Sequence, residues 1–141
     1  MKISKIGAAL IGVVLAAMSA MVLAADKVDL GKKEFEANCA GCHGVKAKGD
    51  GPFKPYLNKI APDLTVLTKN NGGAFPFARV YETIDGTSEA SVHGTRDMPI
   101  WGTVYKIKAG EYYGDVDYIP DYFVRSRILA LIDYINRLQV K

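Results

Sequence analysis

Two cysteines and a histidine stand close together in the stretch Cys39-Ala40-Gly41-Cys42-His43. Cysteines at this spacing lie about one helical turn apart, so both thiols can reach the same group. The pattern suits three kinds of chemistry: thiol–disulfide exchange, half of a zinc site, and covalent attachment of a haem. In the last case each thiol adds to one vinyl group of the haem, and His43 is held beneath the iron as an axial ligand.

The rest of the chain favours the haem over the other two chemistries. A complete zinc site needs a second pair of ligands, which the two cysteines and two histidines do not provide. Thiol–disulfide exchange is typical of a βαβ context, and no β-branched run precedes Cys39. A simple disulfide leaves His43 unexplained, whereas Cys-x-x-Cys-His is the signature of c-type haem attachment. We therefore predict one covalent haem c, bound by Cys39 and Cys42, with His43 as the proximal iron ligand.

The iron of such a haem has a second axial position, which a side chain fills or leaves open. Met98 and His93 are the candidate donors, and Met98 is followed by Pro99 and by the pair Trp101-Gly102. A methionine is often only core packing, and a loop histidine is often only a surface residue. We predict Met98 as the distal ligand, with His93 as the alternative. The choice matters because histidine in place of methionine lowers the reduction potential.

These features together resemble the class I cytochromes c, which are small, soluble, monohaem electron carriers. In that family a methionine followed by proline, often near a Trp-Gly pair, supplies the sixth iron ligand. The order of the chain also matches, with Cys-x-x-Cys-His early, the methionine in the distal half and a helix at the end. The resemblance implies an all-α fold of three to five helices, with long loops around one covalently bound haem.

The resemblance also assigns a role to Pro62, which stands in Ala61-Pro62-Asp63-Leu64. In the family, the carbonyl of a proline after Cys-x-x-Cys-His accepts the Nδ1 proton of the haem histidine. That hydrogen bond would orient His43 and raise its basicity. The separation from His43 is longer here than in the shortest family members, and a proline that merely ends a loop is the alternative.

The N-terminus has the pattern of a secretory signal. Two lysines precede the uncharged stretch 6–25, which is rich in alanine and glycine and ends in small residues. We predict a signal peptide over 1–24 and a cytochrome domain over 25–141, exported to the periplasm. An uncleaved membrane anchor is the alternative, because the uncharged stretch is long enough to span a bilayer. After cleavage Met98 would be the only methionine left.

Two helices are predicted at the ends of this domain. The first covers 29–42, with Asp29 as its N-cap and with Gly31 and Phe35 on one face. The last helix follows Pro120, starts near Asp121, and is predicted to bring Tyr134 against Gly31 and Phe35, as the resemblance implies. Its three arginines are expected on the solvent side or at the C-terminal end. Its apolar face has helical spacing and consists of Ile128, Leu131, Ile132, Ile135 and Leu138.

Between these helices the pattern is less regular. A middle helix is predicted over 75–85, with Pro76 in its first turn and Gly86 as its C-terminal cap. A short turn is predicted to start at Asp63. Residues 103–120 contain four tyrosines and are predicted to form a long connection without regular structure. No stretch shows the sustained alternation of a β-strand.

Charge is nearly balanced overall and segregated along the chain. The formal net charge of +3 offers no broad basic face, so nucleic-acid binding is not expected. The segregation of charge along the chain has two possible interpretations. The charged stretches are either ordinary solvated loops or an asymmetry that steers redox partners. The basic group is Lys46, Lys48, Lys54 and Lys59 against Asp50, and the acidic group is Glu111, Asp115, Asp117 and Asp121.

The predicted function is therefore that of a periplasmic one-electron carrier between a respiratory or dehydrogenase donor and an oxidase or reductase. Its partners would be redox proteins, with peripheral membrane contact, no small-molecule substrate and no enzymatic activity. A haem c subunit of a periplasmic oxidoreductase complex is the first alternative, supported by the tyrosine-rich stretch 103–120. The others are a ligand-binding or peroxidatic haem protein with Met98 weak or displaced, and a thiol–disulfide protein without haem.

Overall fold

The computed structural model describes residues 28–87, 98–114 and 119–140. In these ranges the chain forms five α-helices, three short 3₁₀-helices and no strand, which confirms the predicted all-α fold. None of the helices in these ranges is long and apolar enough to cross a membrane, and the predicted signal peptide lies outside them. The α-helices are α1 Leu30–Asn38, α2 Ala40–His43, α3 Phe77–Asp85, α4 Trp101–Tyr113 and α5 Pro120–Arg137. The 3₁₀-helices are Lys54–Tyr56, Leu64–Val66 and Lys69–Asn71.

The first and last helices cross where the sequence predicts. A Cβ atom at Gly31 would overlap the carbonyl group of Ala130 on α5, so only glycine lets the two backbones approach so closely. Phe35 is fully buried, and its ring centroid lies 5.3 Å from that of Tyr134. We call this contact of Gly31 and Phe35 with Ala130 and Tyr134 the helix crossing. Asp29 caps α1 as predicted, with its Oδ1 3.0 Å from the amide nitrogen of Lys32.

The prediction of one continuous helix over 29–42 is wrong, because the regular helix is interrupted at Cys39, where φ departs from the usual helical value. This residue has φ −115° and ψ −35°, so α1 ends at Asn38 and the short α2 begins at Ala40. The Cys39 amide still donates to the carbonyl of Phe35, at 2.9 Å. The Cys39 carbonyl in turn accepts from the amides of Cys42 and His43, at 3.1 and 2.9 Å. The Cys-x-x-Cys-His stretch is therefore a tight turn anchored on the end of α1.

Helix α5 contributes more residues to the core than any other described helix. It begins at Pro120, one residue before the predicted Asp121, and proline suits a first helical position because its missing N–H is not needed there. The predicted solvent position of Arg127 is wrong: its side chain is only 27% exposed and lies over the Phe123 ring, 4.7 Å from the centroid. The predicted apolar face is buried, except that Leu138 is half-buried, and Val124 is buried on the same helix as well. The buried residues of α5 are Val124, Ile128, Leu131, Ile132 and Ile135.

The middle helix α3 is slightly shorter than predicted. It begins at Phe77, so Pro76 is the residue before the helix rather than part of its first turn. Gly86 ends it as predicted, with φ +94° and with its amide donating to the carbonyl of Glu82 at 2.9 Å. The predicted turn at Asp63 is also present, as the 3₁₀-helix that Asp63 caps.

The prediction of an irregular connection over 103–120 is wrong, because Trp101–Tyr113 forms the helix α4. Its buried face consists of Gly102, Tyr105 and Ala109, of which only Tyr105 is large. Small residues on the buried face and apolar ones such as Ile107 on the exposed face leave little hydrophobic periodicity to detect. Residues 115–118 of the predicted connection lie outside the described ranges.

The residues after α5 tie the end of the chain to the segment that follows Asp63. The side-chain amide of Gln139 donates to the carbonyl of Leu64 at 2.6 Å and accepts from the amide of Thr68 at 2.9 Å. The Val140 amide donates to the Thr65 carbonyl at 2.9 Å. The residues that follow the last helix therefore hold the Leu64–Val66 turn.

Candidate functional site

A largely apolar cleft of about 460 Å³ opens between α1, α3, α5 and the segment after α2. Its size lies within the range of about 300–1,000 Å³ that is usual for cofactor sites. Much of its wall is provided by Phe35, Leu64, Val80, Ile84, Leu131 and Ile135. The structure also brings all five predicted site residues to this one cleft: Cys39, Cys42, His43, Pro62 and Met98.

His43 lies at the end of α2, is 9% exposed and contacts the predicted proline. Its Nδ1 is 3.2 Å from the carbonyl oxygen of Pro62. Because a carbonyl oxygen only accepts, this hydrogen bond places the proton on Nδ1 and leaves the lone pair on Nε2. Burial lowers the pKa of His43, and the bond to Pro62 acts in the opposite direction. The ring is therefore held as a neutral, oriented imidazole, which is the form that binds a metal.

The segment 44–63, which we call the proline loop, sets the position of Pro62. Its backbone folds back on the Cys-x-x-Cys-His turn, with the Gly49 amide 2.8 Å from the carbonyl oxygen of His43. Gly49 has φ +75°, and a Cβ atom there would overlap the Ala61 carbonyl and come within 3.3 Å of the Pro62 carbonyl carbon. A glycine is needed at this point both for the left-handed backbone and for the close approach to the residues that orient His43.

Both cysteines are free thiols, half-buried at the cleft. Burial raises the pKa of the Cys39 thiol to about 12, and the charges of Glu34 and Cys42 add to the effect. Catalytic cysteines of thiol–disulfide centres instead have lowered pKa values, because the thiolate is the nucleophile. The surroundings of Cys39 therefore disfavour the thiol–disulfide alternative.

Met98 lies just before α4, is half-buried and lines the same cleft as His43. Trp101, three residues later, also lines the cleft, and its ring centroid lies 5.9 Å from that of Tyr105. His93, the alternative donor, lies outside the described residues.

Sequence reasoning missed a polar group that lies directly behind the cleft wall. Tyr105 of α4 donates its hydroxyl to Glu34 of α1 at 3.0 Å, and Arg127 of α5 forms an ion pair with the other oxygen of that carboxylate. Burial, followed by the charge of Glu34, raises the pKa of Tyr105. These partners stand 71 and 93 residues from Glu34, so no local pattern in the sequence could connect them.

The donor set fits a covalently attached haem. The described residues offer two thiols, one buried neutral imidazole, one thioether and an apolar wall, all at one cleft. By contrast, the parts of the chain that the structure describes contain no cluster of three or more His, Cys, Asp or Glu residues able to hold a metal ion alone.

Comparison with known proteins gives one match. The sequence model of the family described as Cytochrome c matches residues 28–119, which is more than half of the chain. No curated protein and no solved structure gave a significant match. The matched range contains both cysteines, His43, Pro62 and Met98.

Proposed function

The chain belongs to the cytochrome c family, and we propose that it is a periplasmic carrier of single electrons. Family membership implies a covalently attached haem c and haem-based electron transfer. In the proposal Cys39 and Cys42 form the thioether bonds, and the iron is held by Nε2 of His43 and the sulfur of Met98. The haem, when bound, supplies the ferric/ferrous couple.

The observation that carries this proposal is the meeting of both thiols, His43 and Met98 at one apolar cleft. The Pro62 carbonyl supports the role of His43, because it fixes the tautomer and the ring orientation that an axial ligand needs. A thioether donor favours the ferrous state, and an apolar wall excludes water, so both features favour a raised reduction potential. With His43 and Met98 both held by the iron, binding of small ligands there would be disfavoured.

The surface around the cleft supports docking of acidic redox proteins. Lys59 and Ile60 of the proline loop lie at the cleft, and both residues are exposed. Lys46, Lys48 and Lys54 of the same loop are exposed as well. Exposed lysines on a loop that borders an apolar opening would accelerate the encounter with an acidic partner, and weak, small interfaces suit rapid electron exchange. Of the acidic group, Asp121 lies 2.9 Å from Lys106, and Asp115 and Asp117 lie outside the described residues.

A second candidate function is that of a haem c subunit in an oxidoreductase complex. It is favoured by the large apolar side chains that α4 and the start of α5 expose to solvent, which a permanent partner would cover. They are Ile107, Tyr112, Ile119 and Tyr122. Gel filtration of native extract separates the two functions, because a carrier elutes as a small protein and a subunit elutes with its complex.

The optical spectrum of the protein matured in the periplasm tests the proposal. We expect a c-type spectrum with the weak far-red band that reports a bond between iron and thioether sulfur. Met98→Ala should remove this band, and His93→Ala, the matched control at the rival donor, should retain it. A c-type spectrum whose band is absent in wild type, or lost only in His93→Ala, would contradict Met98 as ligand. Carbon monoxide binding by the reduced wild type would favour a ligand-binding haem protein instead.

A further inference from the structure

Side chains from three helices surround the carboxylate of Glu34. Its Oε2 accepts from the Tyr105 hydroxyl and from the side-chain amide of Asn38, each at 3.0 Å, and its Oε1 pairs with the guanidinium of Arg127. Three donors on two oxygens match a carboxylate in its ionised form, which only accepts hydrogen bonds. The Glu34 side chain is 14% exposed, so this charge is largely shielded from water.

This carboxylate lies one side chain away from the cleft. Asn38, which donates to Glu34, also lines the cleft, and so does Trp101, whose ring contacts that of Tyr105. Glu34 also acts electrostatically on Cys39, the first predicted thioether residue, where its charge adds to the effect of burial. A charge on Glu34 is therefore felt inside the cleft.

The ion pair is oriented with respect to the cleft. Arg127 is more exposed than Glu34, at 27%, and its guanidinium stacks over Phe123, which does not line the cleft. The Glu34 carboxylate is thus the member of the pair nearer to the cleft, from which Asn38 separates it, and the Arg127 guanidinium is the member farther away. Because the two charges act from different distances, their fields in the cleft do not cancel.

We propose that Glu34 lowers the reduction potential of the haem by holding a largely shielded negative charge behind the cleft wall. Ferric haem carries one more positive charge than ferrous haem, so the carboxylate favours the ferric state and lowers the potential that the axial ligands establish. Tyr105, Asn38 and Arg127 are the positioning residues of this charge. The inference rests on the proposed function, in that the haem occupies the cleft.

Potentiometric titration of the holoprotein tests this role, with Glu34→Gln compared with Asp29→Asn. Asp29 is a matched control, because it caps the same helix α1, pairs with Arg137 of the same helix α5, and does not line the cleft. We expect Glu34→Gln to raise the midpoint potential and Asp29→Asn to leave it unchanged. The shift should persist at high salt, because ions screen a buried charge much less than an exposed one.

Removal of the positive charge of Arg127 gives a second, independent test. Arg127→Gln removes the counter-charge and leaves Glu34 with its two neutral donors, so it should lower the potential. An unchanged or lowered potential in Glu34→Gln, or an equal shift in Asp29→Asn, would overturn the proposal. If the Glu34→Gln variant does not accumulate as a haem-containing protein, an unchanged or raised potential in Arg127→Gln would overturn the proposal instead. A wild type without the far-red band contradicts only Met98 ligation, since the carboxylate acts on the iron charge whichever residue is the sixth ligand.

Discussion

The helix crossing and the proline loop both contribute to the wall of the cleft, the crossing through Phe35 and the loop through residues of 57–62, but they are held together by different forces. At the crossing, Phe35 has no exposed surface, its ring packs on that of Tyr134, and Gly31 lies directly against the backbone of Ala130. In the proline loop, Phe53, Tyr56 and Ile60 are all more than half exposed. That loop is held largely by backbone hydrogen bonds to the Cys-x-x-Cys-His turn, among them Phe53 to Gly41 at 2.9 Å and Gly51 to Cys42 at 3.2 Å.

This difference separates two tasks within one small domain. Buried apolar area provides most of the free energy of folding, so the crossing should carry the stability of the molecule. Directional hydrogen bonds provide less net free energy and more geometric control, so the proline loop should set the orientation of His43. Substitutions in the two regions are therefore expected to affect different measurements.

The largest effect on stability is expected at the crossing, from Gly31→Ala. The added methyl group would overlap the backbone carbonyl of Ala130, and a backbone atom cannot move aside as a side chain can. We expect the free energy of unfolding to fall by about 2–3 kcal/mol, as for overpacked sites, in denaturant titrations of the holoprotein.

Gly110→Ala is the matched control for this prediction. Gly110 lies in α4, and a Cβ atom there would have no neighbour within 4 Å. Alanine is a better helix former, so this variant should gain about 0.5–1 kcal/mol. If Gly31→Ala proves as harmless as Gly110→Ala, the crossing does not limit stability and the comparison between the two regions fails.

A change at the iron, which Gly31→Ala should not cause, is expected from Gly49→Ala in the proline loop. The left-handed backbone alone costs a non-glycine residue about 1–2 kcal/mol. The overlap with the Ala61 carbonyl should in addition displace Pro62 and weaken its hydrogen bond to His43. We expect a shifted reduction potential, because the basicity of His43 depends on that bond.

Gly72→Ala separates these two contributions. Gly72 is also left-handed, with φ +67°, but a Cβ atom there would meet nothing within 4 Å. It should therefore lose about the same backbone free energy and keep the wild-type potential. Equal potentials in Gly49→Ala and Gly72→Ala would show that the proline loop does not control His43.

The two regions also differ in how far the sequence could predict them. The crossing follows from local patterns, because Gly31 with Phe35 and the apolar face of α5 each repeat at helical spacing. Cys39, Cys42 and His43 are close together in the chain, so their common site can also be predicted from the sequence. The resemblance that implied a role for Pro62 named the correct neighbour of His43.

The features that escaped prediction depend on contacts between distant parts of the chain. Helix α4 buries Gly102, Tyr105 and Ala109, a face too small to produce a hydrophobic pattern. Glu34 looks like one more charged residue on a lysine-rich helix, and only the meeting of α1 with α4 and α5 makes it a half-buried, paired carboxylate. Tertiary contacts such as these leave no periodic trace in the sequence.

The smallest effect is expected from the capping carboxylates, of which each region has one. In the segment that carries Pro62, Asp63 accepts from the amide and the hydroxyl of Thr65, at 2.8 and 2.6 Å, and these bonds lower its pKa. At the start of α1, the amide of Lys32 and then Arg137 lower the pKa of Asp29. A lowered pKa means that the folded state binds the proton less tightly than the unfolded state, so each charge stabilises the fold above the ordinary aspartate value of 3.8. That contribution is lost as the pH falls through the lower folded value.

Asp63→Asn and Asp29→Asn should therefore each unfold slightly more easily than wild type at pH 7, and this difference should shrink as the pH falls below 3.8. Asparagine keeps a capping oxygen, so the substitutions isolate the charge from the hydrogen bond. Salt should weaken the effect of Asp29→Asn more, because its lowered pKa depends partly on Arg137, whereas that of Asp63 depends mainly on Thr65. Denaturant titrations of both variants at pH 7 and pH 3, at low and high salt, measure these differences. Variants that become less stable relative to wild type on acidification would reverse the assigned sign and show that neither carboxylate is stabilised in its charged form by the fold.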